Sequence, residues 1–136
     1  MLPIPQIAAR LVALTAEAQD ALGGVPAAVI SRFPALVGRR RSTASADIHV
    51  QAETTLFLLD RADDHTRYIS REHFAIEYGD GRFSVVDLRS ACGTIVAGRR
   101  IGGNREGGQG ELRDQDEIVI GTASSRYAFR FEVVSD

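Results

Sequence analysis

The sequence predicts an all-β domain, an antiparallel sandwich or barrel behind one N-terminal helix, and three observations predict it. Helical spacing is confined to the first two dozen residues, short alternating segments fill the chain from about Phe33, and no helical stretch separates those segments. A chain of 136 residues fits one domain. At that size about two-thirds of the surface exposed by the unfolded chain is buried on folding, enough for a core without staples.

Taken in order, Ile4, Ile7, Leu11, Leu14, Ala18 and Ala21 recur at steps of three and four. That spacing predicts one apolar stripe on a helix of about five turns. Pro3 and Pro5 stand at its start, and Gly23-Gly24 followed by Pro26 stop it. The stripe has two readings: it docks on the rest of the domain, or it pairs with a second copy or a partner, because such steps mimic a short coiled-coil seam. Residues 1–26 are accordingly assigned to helix and linker, and 27–136 to the β-domain. Within the latter, Ile48 and Val50 alternate with polar neighbours, as do Phe74, Ile76 and Tyr78. Phe83 and Val85 follow after a Gly79-Asp80-Gly81 turn. The last segment alternates most strictly, with Tyr127, Phe129, Phe131 and Val133 on one face. GGNREGGQG, residues 102–110, has five glycines and no apolar residue and reads as a loop. It lacks the lysine and hydroxyl residue of a phosphate-cradling P-loop.

Sixteen basic residues against eighteen acidic ones give a formal charge of −2, which supplies no general attraction for nucleic acid. The arginines at 39, 40, 41, 99 and 100 also lack interleaved aromatic residues. Cys92 is the only cysteine and the three histidines are scattered, so neither an intramolecular disulfide nor zinc-ligand spacing arises, and no metal or cofactor is expected. The first apolar stretch has no basic leader and is broken by Gln6, Arg10 and Glu17, which argues against a signal peptide or a membrane span. A cytoplasmic protein with no membrane partner is the expectation. A thiol nucleophile would need Cys92 beside a base and a third orienting residue, and no third orienting residue is evident, so no enzyme is predicted.

Four stretches carry a resemblance: VGRR at 37–40, ISREHFAI at 69–76, DLRSACGTIVAGRRI at 87–101 and LRDQDEIVIG at 112–121. In this order and spacing they resemble the forkhead-associated (FHA) domain family, over about three-quarters of the chain, from Phe33 to Val134. The resemblance implies a two-sheet β-sandwich of about eleven strands, whose loops at one end bind a phosphothreonine peptide or a Thr-phosphorylated partner protein. It places Arg39 and Ser70 on the phosphate, Arg71 on the peptide or the phosphate, and Ala91 and Cys92 in the loop that clamps the peptide backbone. His73 is implied as a loop-bracing residue, and Gly38, Gly93, Thr94 and Gly98 as structural support. The physics suits Arg39, since a guanidinium presents a permanently charged planar fork to phosphate oxygens.

The chain departs from the family pattern at several positions. Cys92 stands where the family has the asparagine of Asn-Gly-Thr, and a thiol is a weak substitute for an amide. Ala91 replaces a frequent Ser or Thr. Ala97 replaces the asparagine of Val-Asn-Gly, leaving Gly98 to make a left-handed turn alone, and Gln115 replaces a glycine between Asp114 and Asp116. The implied function is therefore a phosphothreonine binder with a thinned backbone clamp. The alternative is an interaction module that no longer depends on phosphate.

Overall fold

The computed structural model describes residues 7–39, 53–60 and 68–135, which form two face-to-face β-sheets and one short helix. In chain order the elements are β1 (Ile7–Ala13), α1 (Ala16–Ala21), β2 (Ala27–Ile30), β3 (Ala35–Arg39), β4 (Thr54–Leu58), β5 (Phe74–Gly79), β6 (Arg82–Asp87), β7 (Thr94–Val96), β8 (Arg99–Ile101), β9 (Gly108–Leu112), β10 (Glu117–Ile120) and β11 (Ala128–Ser135). One sheet runs β2-β1-β11-β10-β7-β8 and the other β4-β3-β5-β6-β9. All pairs are antiparallel except β3 with β4. The strands anticipated around Ile48 and Val50 lie outside the described residues.

The eleven strands agree with the expected sandwich, but the N-terminal helix is much shorter than its spacing suggested. Residues 7–13 form a strand paired with β11 over seven positions and with β2 on its other edge. Its sequence, IAARLVA, is apolar on both faces, so a period of two is masked and a period near 3.6 appears by coincidence. Backbone pairing on both edges decides the outcome. The helix proper begins at Ala16, where the Thr15 hydroxyl accepts from the Ala18 amide as an N-cap. Leu11, Ala18 and Ala21, which would form part of a partner-facing seam, are all buried in the core. Because β1 lies between β2 and β11, a division at residue 26 cuts through one sheet.

The core lies between the sheets. Phe83 of β6 meets Phe131 of β11 with ring centroids 5.0 Å apart in an edge-on contact, and Phe33 approaches Phe83 at 5.3 Å. In β5 and β6 the pattern behaves as read, with Ile76 and Val85 fully inward and the turn between them made by Asp80 and Gly81 at positive φ. The glycine-rich stretch is a loop only in part. Gly103 and Glu106 form a bridge closed by Asn104 and Arg105, while Gly108–Leu112 pair with β6 as β9.

The β7–β8 hairpin turns on Ala97 and Gly98, with φ of 51° and 82°. Two left-handed residues in succession make a primed two-residue turn, so Gly98 does not carry it alone. Alanine is poorly suited to that conformation, which costs an L-residue about 1–2 kcal/mol. Ala97→Asn is expected to raise stability by roughly 0.5–1 kcal/mol, read as a shift in the denaturant midpoint at unchanged slope.

Candidate functional site

β3 and β4 run parallel and end on the same side of the sandwich, where the segments before β5, between β6 and β7, and between β10 and β11 also converge. The segment preceding β5 lies along the end of β3. The Arg39 amide donates to the Ser70 carbonyl (2.9 Å) and the His73 amide to the Val37 carbonyl (3.0 Å). Between them there is no room for a side chain on β3: a Cβ on Gly38 would stand 1.8 Å from the Arg71 carbonyl oxygen. Gly38 thus sets how closely Arg39 approaches Ser70.

His73 is fully buried and ties two loops together. Its Nδ1 accepts from the Ser70 amide (2.9 Å), so in the neutral ring Nε2 carries the proton and donates to the Gly93 carbonyl (2.7 Å). Both ring nitrogens are engaged, which leaves neither as a base for Cys92. Burial holds the imidazole below its usual pKa of 6.5, against the opposing pull of the Gly93 carbonyl and of Asp87 and Asp60. Below pH 6.5 the unfolded chain therefore takes up a proton that the folded one refuses. Stability should be full above about pH 6.5 and fall as the pH drops toward the folded pKa, by at most about 1.4 kcal/mol per pH unit. Urea titrations at pH 7.5, 6.5 and 5.5 on the wild type and on His73→Gln check this, and an unchanged slope in the variant would remove His73 as the cause.

The loop from β6 to β7 is built on Asp87. Its Oδ1 accepts from the Ser90 amide (2.9 Å), and its Oδ2 from the Ser90 hydroxyl (2.6 Å) and the Thr94 hydroxyl (2.8 Å). The Ser90 hydroxyl in turn accepts from the Gly93 amide (2.9 Å). The Gly93 carbonyl receives both His73 and the Gly121 amide, which brings in the β10–β11 turn. Gly93 has φ of 88°, and a Cβ there would come within 2.9 Å of the Gly102 carbonyl. Ala91 and Cys92 lie at the crest of this loop, Ala91 exposed and Cys92 partly so.

One contact crosses between the loops at the surface. The Ala91 amide donates to the Ser70 hydroxyl oxygen (3.1 Å). While that oxygen accepts, the Ser70 hydroxyl keeps its one proton to donate. Arg39 stands at the end of β3 beside Ser70, and Arg71 is exposed next to it. Gly38, Arg39, Ser70, Arg71, His73, Ala91, Cys92, Gly93 and Thr94 are thereby gathered at one end. Gly98 is not among them, because its turn lies at the far end of β7 from Gly93.

Asp60 belongs to the same construction and was not evident from the sequence. Its Oδ2 accepts from the Tyr68 and Ile69 amides (both 2.9 Å), and the Tyr127 hydroxyl donates to Oδ1 (3.0 Å). The carboxylate pins the backbone leading into Ser70. No sequence signal marks it, since its partners are main-chain amides across a connection. Asp87 did carry a signal, the Asp-x-x-Ser spacing to Ser90 typical of a side chain capping its own turn.

The arrangement brings a serine hydroxyl and two arginines to a crest held by hydrogen bonds. In sequence, the FHA-domain profile matches residues 35–121. No curated protein is a significant match. In structure, the chain is similar to the FHA domain of the CT664 protein from Chlamydia trachomatis, with 21% identity, 95% of this chain and 96% of that one covered, and a TM-score of 0.54. It is also similar to the yeast splicing factor Pml1, with 21% identity, 100% and 86% covered, and a TM-score of 0.63. Mycobacterium tuberculosis EmbR, solved in complex with a low-affinity phosphopeptide, aligns at 21% identity and a TM-score of 0.58, covering 92% of this chain but 24% of EmbR.

Proposed function

The chain belongs to the FHA-domain family, and from that premise we propose that it is a phosphothreonine-peptide-binding module acting through Arg39, Ser70 and Arg71. The observation that carries the reading is the Ser70 hydroxyl, which accepts from the Ala91 amide, keeps its proton to donate, and belongs to the residue whose carbonyl holds the Arg39 amide. A phosphate oxygen is the ligand that suits this pair. It takes a short hydrogen bond from a neutral hydroxyl and a charge-assisted fork from a guanidinium, and needs no acceptor from the protein. FHA domains are protein-interaction modules, and with both His73 nitrogens engaged in bracing, the site holds the peptide and performs no chemistry on it.

The clamp on the peptide backbone is weaker than in family members with asparagine at the position of Cys92. One neutral hydrogen bond is worth about 0.5–1.5 kcal/mol net, so its loss lowers affinity roughly 2- to 13-fold, whereas each charge-assisted bond to phosphate contributes about 1.5–3 kcal/mol. Phosphate recognition therefore outweighs the missing amide.

The test is capture of an oriented phosphothreonine library and its unphosphorylated counterpart by the wild type and by Arg39→Ala. The phosphorylated library should be retained by the wild type alone, and a selected peptide should bind Arg39→Ala about 10- to 150-fold more weakly. Equal retention of both libraries, or retention indifferent to Arg39, would overturn the reading and favour a phosphate-independent interaction module.

A further inference from the structure

Beside the crest formed by Ser90, Ala91 and Cys92 lies a second pair of arginines that the phosphate site does not use. Arg105 sits in the tight turn closed by the Gly103–Glu106 bridge, and this turn is docked on the crest by two backbone bonds. The Asn104 amide donates to the Ala91 carbonyl and the Arg105 amide to the Ser90 carbonyl, both at 3.0 Å. Arg89 rises from the crest's own base, with its stem against Gly107, where a Cβ would meet the Arg89 Cγ at 3.7 Å. The two arginines thus flank one junction between loops, and Ala91 at that junction already contacts Ser70.

Both arginines are exposed and both hold φ near +60°, 61° at Arg89 and 62° at Arg105. That conformation is unfavourable for a long side chain and survives only where the surroundings impose it. Here the Asp87–Ser90 bonds impose it on Arg89 and the two docking bonds on Arg105. Among the described residues, neither guanidinium has a hydrogen bond or an ion pair, although the Glu106 carboxylate follows Arg105 directly. Two arginines with fixed backbones and no hydrogen bond or ion pair to the described residues stand next to the crest, and a guanidinium so placed favours an anionic partner.

We propose that Arg89 and Arg105 select an anionic side chain, a carboxylate or a second phosphate, within a few residues of the phosphothreonine in the same bound peptide. The inference rests on the phosphothreonine reading above and adds a specificity to it. It also gives the thinned clamp a counterpart, since the affinity absent at Cys92 is supplied by charge on the neighbouring turn.

The test is a set of phosphothreonine peptides in which each position from four before to four after the phosphothreonine is in turn Glu, phosphoserine, Ala or Lys. Each is titrated by fluorescence anisotropy against the wild type, Arg89→Asn/Arg105→Asn and Arg105→Asp. Asparagine and aspartate tolerate left-handed backbone, so these variants keep the turns. At one or two positions the wild type should bind Glu or phosphoserine about 3- to 10-fold more tightly than Lys, the range expected of exposed ion pairs acting together. The Glu-to-Lys ratio should fall to about 1 in the double Asn variant and also in Arg105→Asp, where the new carboxylate offsets the remaining Arg89. A phosphoserine-to-Glu ratio near 1 assigns the position to carboxylates and a larger one to a second phosphate, and both support the inference. A wild type indifferent to charge at every position, or a preference that survives the double variant, overturns it while leaving phosphothreonine recognition standing. If no phosphothreonine peptide binds the wild type at all, both readings fall.

Discussion

Gly38→Ala is expected to destabilise the protein by about 3–5 kcal/mol and to abolish phosphopeptide capture at any concentration where the wild type is half saturated. A Cβ 1.8 Å from the Arg71 carbonyl oxygen overlaps backbone, not the far end of a flexible side chain, so no rotamer change relieves it. β3 and the Ser70–His73 segment must separate. Overpacking alone costs about 1–3 kcal/mol. Separation also strains two backbone bonds, Arg39 amide to Ser70 carbonyl and His73 amide to Val37 carbonyl, each worth about 0.5–1.5 kcal/mol. For a domain whose total stability is of order 5–15 kcal/mol, this lowers the thermal midpoint by about 10–20 °C. Because the displaced bonds are the ones that hold Arg39 beside Ser70, binding should fail even at temperatures where the variant is still folded. A variant within about 1 kcal/mol of the wild type that keeps its affinity would show that this approach does not set the site.

How much of this was legible follows from the range of each interaction. The residues gathered at this end were readable because they occur in short local patterns, and His73 among them does tie two loops together. The strand β1 was not, because IAARLVA has apolar residues on both faces, and the pairing with β2 and β11 that decides its conformation involves residues far along the chain. Turn chemistry was half legible. Alanine in place of asparagine at position 97 was visible as an oddity, but that both Ala97 and Gly98 are left-handed required the backbone. Asp114 and Asp116 accept from the Val133 and Arg113 amides around a left-handed Gln115, a bracing that the local sequence does not spell out. The docking of the Asn104–Arg105 turn on Ser90 and Ala91 was invisible, because glycine-rich composition announces a loop without saying where the loop lies.

Asp87→Ala should be the most damaging single side-chain truncation at this end of the sandwich. The carboxylate is buried and receives three donors, and truncation leaves the Ser90 amide, the Ser90 hydroxyl and the Thr94 hydroxyl without their acceptor. A buried donor left unsatisfied costs about 1–3 kcal/mol, and rotation of the hydroxyls recovers part of that, so a loss of roughly 3–6 kcal/mol is expected. The damage spreads along the chain of bonds: Ser90 loses its orientation, then the Gly93 amide loses Ser90, and the Gly93 carbonyl that receives His73 is no longer fixed. Lengthening fails as surely as truncation, since a Cβ on Gly102 would already meet the Asp87 Cγ at 2.5 Å, which leaves no space for the extra methylene of Asp87→Glu. Asp87→Asn keeps the volume and one acceptor oxygen but turns a donor toward two hydroxyls, and should fall between the wild type and alanine. Denaturant titration orders the three variants, and amide hydrogen exchange at Ser90 and Gly93 localises the effect. If Asp87→Ala costs no more than a surface substitution, about 0.5 kcal/mol, or if those two amides stay protected, the crest is held by its docking on the Asn104–Arg105 turn and not by the carboxylate beneath it.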